Sequence, residues 1–67
     1  MKVTKKTLRG LVGQQVVIQL GAPDLGKELR GRLVRFNGRY AEVEYEWDGQ
    51  QLLGCFEGLD FLDIQAA

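Results

Sequence analysis

The sequence predicts a mainly β fold, a short N-terminal helix followed by a five-stranded, strongly bent antiparallel barrel, in one domain over residues 1–67. Three observations predict it. Helical spacing of apolar residues occurs only near the start, at Leu8, Leu11 and Val12. From Gln15 onward, β-branched and alternating segments fill the chain. The glycine-bearing pairs Asn37-Gly38, Asp48-Gly49 and Glu57-Gly58 separate those segments at short intervals.

The helix is expected over about residues 4–12, with Thr4 placed to cap its start and Gly13 to end it. Residues 15–20 follow as a buried strand, since Val16, Val17 and Ile18 form an unbroken apolar run. Gly21 to Gly26 holds two glycines, the single proline and an aspartate, which predicts a loop. The second strand is expected over 28–36 and the third over 40–47, joined at Asn37-Gly38 by a turn whose residues tolerate the positive φ of type I′. The third strand alternates without error: Ala41, Val43, Tyr45 and Trp47 share the core face, and Glu42, Glu44 and Glu46 the solvated one. A fourth strand is expected over 51–56 and a fifth over 59–64, the latter with Leu59 and Phe61 on one face and Leu62 and Ile64 on the other.

Charge decides the register of the central hairpin. A plain two-residue turn would set Leu33 against Glu42. A slip of one residue sets Arg32 against Glu44, Leu33 against Val43 and Gly31 against Tyr45, which satisfies both faces. One extra residue in this hairpin, as a bulge or a three-residue loop, is therefore expected. Gly31 would stand where the strand bends and an opposing ring needs space.

Composition narrows the function. Nine Lys/Arg balance nine Asp/Glu, so the chain is not one that coats nucleic acid by bulk charge, although a local basic patch is compatible with neutrality. There is no histidine and a single cysteine, Cys55. That pattern offers no zinc ligand set, no internal disulfide and no partner to activate the thiol, so Cys55 reads as a small core residue. No metal, cofactor or small-molecule substrate is expected, nor enzymatic activity. No apolar run reaches the roughly 18 residues of a membrane span, and no signal peptide opens the chain, so the expected location is the cytoplasm. So small a core has little stability to spare, and with disulfide and metal excluded, self-association is the expected supplement.

Two segments resemble a known family. Leu29-Arg-Gly31-Arg-Leu33-Val-Arg-Phe36-Asn37 resembles the first motif of the Sm/LSm/Hfq-like superfamily, in which a glycine bends the second strand. Phe56-Glu57-Gly58-Leu-Asp-Phe-Leu-Asp-Ile64 is similar to the second motif, which links the last two strands. The likeness runs from Thr7 to Ile64. It implies an SH3-like (Sm-like) barrel and a cyclic homo-oligomer of about five to seven subunits, in which the fourth strand of one copy pairs with the fifth of the next. Leu52, Leu53, Leu62 and Ile64 are the corresponding interface candidates. The family's uridine-contacting positions carry Asn37, Ala41 and Glu57 here, which removes the usual pore contacts.

Lys5, Lys6 and Arg9 on the helix, with Arg35 and Arg39 around the hairpin, are the candidate nucleic-acid contacts, and RNA is the candidate ligand. Lys2 shares the basic side of the helix with Lys5, Lys6 and Arg9, and a solvated helix face is the favoured account of these residues. Arg30 and Arg32 read more simply as partners of Glu44 and Glu46 across the strands. The Glu42–Asp48 row is a solvated face, because alternate side chains on a strand stand about 6.6 Å apart and do not converge on one cation. Glu57, Asp60 and Asp63 read as turn and salt-bridge residues, and Tyr45 and Trp47 as core rather than an aromatic cage. The alternative to an RNA-binding ring is a protein-interaction or scaffolding barrel without nucleic acid.

Overall fold

A computed structural model describes residues 3–21 and 27–67; most of the expected Gly21–Gly26 loop, and Lys2 of the helix's basic side, lie outside the described residues. Helix α1 spans Lys5–Leu11, and the strands are β1 (Gln15–Gln19), β2 (Glu28–Phe36), β3 (Tyr40–Trp47), β4 (Gln50–Glu57) and β5 (Asp63–Ala66), with a 3-10 turn over Gly58–Asp60. They form one antiparallel sheet in the order β4-β3-β2-β1-β5. The sheet is not closed into a barrel: β4 and β5 stand at its two edges.

Thr4 caps α1 as its position predicts, its hydroxyl accepting a hydrogen bond from Thr7 N–H at 3.1 Å. The helix ends where Gly13 takes a φ of 89°, a conformation that a Cβ would disfavour. Gly13 N–H then donates to Leu33 O, and Leu33 N–H to Gln14 O, so the chain leaves the helix already paired to β2.

The central hairpin takes the slipped register. Gly31 faces Tyr45, Arg32 faces Glu44 and Leu33 faces Val43; a bulge at Val34 then brings Arg35 opposite Glu42 and Phe36 opposite Ala41. Because the bulge absorbs one residue, Leu33 and Phe36 both point inward despite a spacing of three. The turns differ from expectation. Only Gly38 has positive φ in the β2–β3 turn, whereas both Asp48 (52°) and Gly49 (77°) do between β3 and β4. The primed geometry thus falls at Asp48-Gly49, while the β2–β3 turn is held by the Asn37 side chain, whose Oδ1 accepts from Arg39 N–H and Tyr40 N–H at 2.9 and 2.7 Å.

The expected strand over 59–64 is corrected. Residues 58–60 form the 3-10 turn, and β5 starts only at Asp63. The turn breaks the alternation, so that Phe61 and Ile64, three apart, are both buried while Leu59 and Leu62 are exposed. Leu8, Val16, Ile18, Leu33, Ala41, Val43, Phe61 and Ile64 make a single core under α1. Leu8, with no exposed surface, is the helix's anchor in it. Burial of each such aliphatic side chain contributes about 1.5–3 kcal/mol before entropy is subtracted.

Two residues expected inside are outside. Cys55 is exposed, because it occupies the outer face of β4 opposite Glu42. Trp47 keeps the core-side parity of its strand but, as the last residue of β3, is 70% exposed. Tyr45 is half-buried.

Candidate assembly edges and nucleic-acid face

The antiparallel ladder with β3 uses one side of β4, and among the described residues no strand pairs with the other. From Gln50 to Phe56 this edge carries no charge and no proline, the devices that ordinarily prevent an edge from recruiting another strand. It also presents apolar side chains in both directions. Leu52, opposite Tyr45, faces inward, and Leu53, opposite Glu44, faces outward with 62% of its surface exposed. At the opposite border β5 pairs with β1 through Ile18↔Ile64 and its neighbours, and among the described residues no strand pairs with its other side. Beside it Leu59 and Leu62 are 50% and 57% exposed. Three of the four interface candidates, Leu52, Leu53 and Leu62, are therefore surface residues at the open edges. The fourth, Ile64, is not: pairing with Ile18 and packing under α1 bury it completely.

Near the β3–β4 turn the inner face opens into a cleft of about 310 Å3, lined by Leu20, Leu29, Tyr45, Trp47, Leu52 and Phe56 among others. Phe56 links this cleft to the core, its ring centroid lying 6.5 Å from that of Tyr45 and 6.0 Å from that of Phe61.

The hairpin arginines all have carboxylate partners. Arg32 reaches Glu44 at 3.9 Å, as the register predicts. Arg30 does not reach Glu46; its Nε instead donates to Glu28 on its own strand at 2.6 Å, and Gln19 donates to the same carboxylate from β1. The guanidinium of Arg30, with help from Gln19, holds the Glu28 carboxyl below its ordinary range. Arg35 pairs with Glu42 at 3.4 Å and Arg39 with Glu57 at 2.9 Å. Cross-strand registry explains the Arg35 pair, because the bulge shifts Glu42 opposite it.

The candidate cations do not form one surface. Arg35 stays on the outer sheet face. Arg9 and Arg39 come together with the corner where the hairpin tip meets the 3-10 turn. There Gly58 N–H donates to Arg39 O at 3.0 Å, and Leu8 and Phe36 crowd Gly58 so closely that a Cβ would stand 2.7 Å from Leu8 Cδ1. The Arg9 guanidinium lies 5.9 Å from the Phe36 ring centroid, and that of Arg39 lies 4.9 Å from Tyr40's. Lys5 and Lys6 project from the exposed side of α1 with no ion-pair partner among the described residues. The Arg39–Glu57 pair is a feature that sequence reasoning missed. Its signal was present in the β3–β4 pairing, which puts Glu57 opposite Tyr40, next to Arg39.

Among the described residues no group of three or more His, Cys, Asp or Glu side chains is arranged to hold a metal ion, and no helix is long and apolar enough to cross a membrane. Comparison of the chain with family models, with curated proteins and with solved structures finds no match.

Proposed function

We propose that this chain is the subunit of a cyclic homo-oligomer, an Sm-like member of the SH3-like barrels, in which β4 of one copy pairs with β5 of the next around a ring of about five to seven subunits. The observation that carries this reading is the pair of open edges: an uncharged β4 border with Leu52 and Leu53 exposed, and a β5 border with Leu59 and Leu62 exposed. Two different borders on one molecule make a head-to-tail contact, which closes into a ring when the rotation between copies permits. Pairing them would complete the sheet hydrogen bonds of both edges and cover four leucines, the supplement a 67-residue core needs.

The ring reading includes single-stranded RNA as ligand, contacted by Lys5 and Lys6 of α1, whose charges are not committed to ion pairs among the described residues. No catalytic step belongs to this reading; the chain has no histidine to serve as a base. The second reading is a protein-interaction scaffold of the same fold that binds no nucleic acid. The neutralisation of Arg30, Arg32, Arg35 and Arg39 by carboxylates favours it. Titration of short A-rich, U-rich and mixed RNAs at two salt concentrations separates the two. The first reading predicts binding that weakens as salt rises, and no binding even at low salt eliminates it.

A further inference from the structure

The direction of each backbone hydrogen-bonding group along β4 follows from its hairpin. The two-residue turn at Asp48-Gly49 makes Trp47↔Gln50 the closing hydrogen-bonded pair. Such pairs recur at every second residue, so Leu52, Gly54 and Phe56 turn their N–H and C=O groups towards β3. The Gly58 N–H donating to Arg39 O keeps the same phase at the other end of the ladder. Gln51, Leu53, Cys55 and Glu57 therefore direct theirs to the free edge, where among the described residues no strand receives them. We propose that this edge is self-complementary: β4 of a second copy pairs with it antiparallel about a two-fold axis at Gly54, as the alternative to its seat on β5. The two uses of β4 exclude each other, so the β4–β4 pairing is populated when the β5 border is blocked.

Side-chain pattern selects the register, as it does in the central hairpin. With the axis at Gly54, Leu53 faces Cys55 of the second copy on the outer side of the sheet, and Leu52 faces Phe56 of the second copy on the inner side. Both contacts are apolar, symmetry makes each of them twice, and residues 50–56 bring no charge to the seam. An axis at Leu53 would set Phe56 against Gln50 and Cys55 against Gln51. An axis at Leu52 would set Leu53 against Gln51, and one at Cys55 would set it against Glu57. Gly54 suits the axis for a second reason. The Phe56 and Tyr45 rings of its own copy already fill the space a Cβ would need, so no side chain stands where the strands cross the two-fold. A two-fold perpendicular to the sheet also keeps the inner faces of both copies on one side. Leu52 and Phe56, which wall the cleft of about 310 Å3, thereby gain apolar neighbours, and Leu53, 62% exposed in the free chain, is covered.

The test uses Leu62→Glu, which blocks the β5 border at an exposed side chain and leaves β4 intact, measured by size-exclusion chromatography with light scattering. This variant is expected to run as a dimer of about 15 kDa, twice the 7.5 kDa chain. Leu53→Glu, which spoils β4 itself, is expected at the mass of one chain. Thiol cross-linking then reads the register. Facing hydrogen-bonded residues have Cα atoms about 5.5 Å apart, within the span of a disulfide. Leu53→Cys in the Leu62→Glu background, with diamide as the oxidant, is therefore expected to join to the native Cys55 thiol of the second copy and give a covalent dimer. Gln51→Cys in the same background is expected to give none, because it faces Glu57. A Leu62→Glu variant at the mass of one chain overturns the proposal, as does cross-linking by Gln51→Cys in place of Leu53→Cys. The parent chain separates this from the ring reading. A parent at the ring mass with a single-chain Leu62→Glu variant keeps the ring and removes the β4–β4 pairing. A dimeric parent that cross-links through Leu53→Cys removes the ring and supports the β4–β4 pairing.

Discussion

Gly31 and Tyr45 stand opposite each other across β2 and β3 with no room for a methyl group between the strands: a Cβ on Gly31 would collide with the carbonyl oxygen of Glu44 and stand 3.1 Å from Tyr45 Cβ. The two strands approach this closely only because one of the facing residues has no side chain. Gly31→Ala is therefore expected to destabilise the chain by about 1–3 kcal/mol, the usual cost of overpacking. For a domain of this size that lowers the melting temperature by roughly 4–8 °C per kcal/mol, measurable by circular dichroism. An unchanged melting temperature would show that β2 and β3 do not meet in this way.

The open edges and the core make opposite demands on neighbouring leucine and isoleucine positions. Leu53→Glu and Leu62→Glu alter exposed side chains at β4 and beside β5, so each is expected to leave the far-ultraviolet spectrum intact and reduce the solution mass. Ile64→Ala empties a fully buried position and is expected to cost about 2–5 kcal/mol, enough to unfold much of so small a domain. Loss of folded structure in the glutamate variants, with Ile64→Ala tolerated, would reverse the assignment of surface and core at these strands.

Glu28 sets an acid limb of stability. Its hydrogen bonds from Arg30 and Gln19 favour the charged carboxylate, so its pKa is lower in the folded chain than in the unfolded one. A depressed carboxyl contributes stability that is present above the unfolded pKa and is lost as pH falls through the folded value. Denaturation midpoints between about pH 5 and pH 3 should therefore fall less steeply for Glu28→Gln than for the parent, by a small margin because the group is exposed. Identical slopes would mean that the Glu28–Arg30–Gln19 contact does not persist in solution.

Much of the fold was legible because charge and apolar pattern agreed. The slipped register was readable from residues 28–47 because a plain turn would have placed Glu42 against Leu33 and Glu44 against Gly31; that the extra residue would be a bulge at Val34 rather than a longer loop was not. The cap at Thr4 and the bounds of β2 and β3 were equally plain. Alternation misled wherever the chain left regular strand geometry. A 3-10 turn at Gly58 changed the phase of Phe61 and Ile64, which moved Ile64 from an expected interface into the core. Parity also says which side a residue faces but not whether anything covers it there, which is why Trp47 was expected inside; Cys55 was assigned to the core from its lack of an activating partner, although it faces outward opposite Glu42. The arginines were visible as a cluster, yet their partners depended on the fold: Glu57 meets Arg39 only after the β3–β4 ladder brings the corner back to the hairpin tip.

The sealing of one copy's β4 by another's β5 is tested most directly by the mass in solution, from size-exclusion chromatography with light scattering at micromolar concentration. One chain is 7.5 kDa. The ring reading predicts a single discrete species of roughly 38–53 kDa, that is, about five to seven copies. A stable species at the mass of one chain would contradict it.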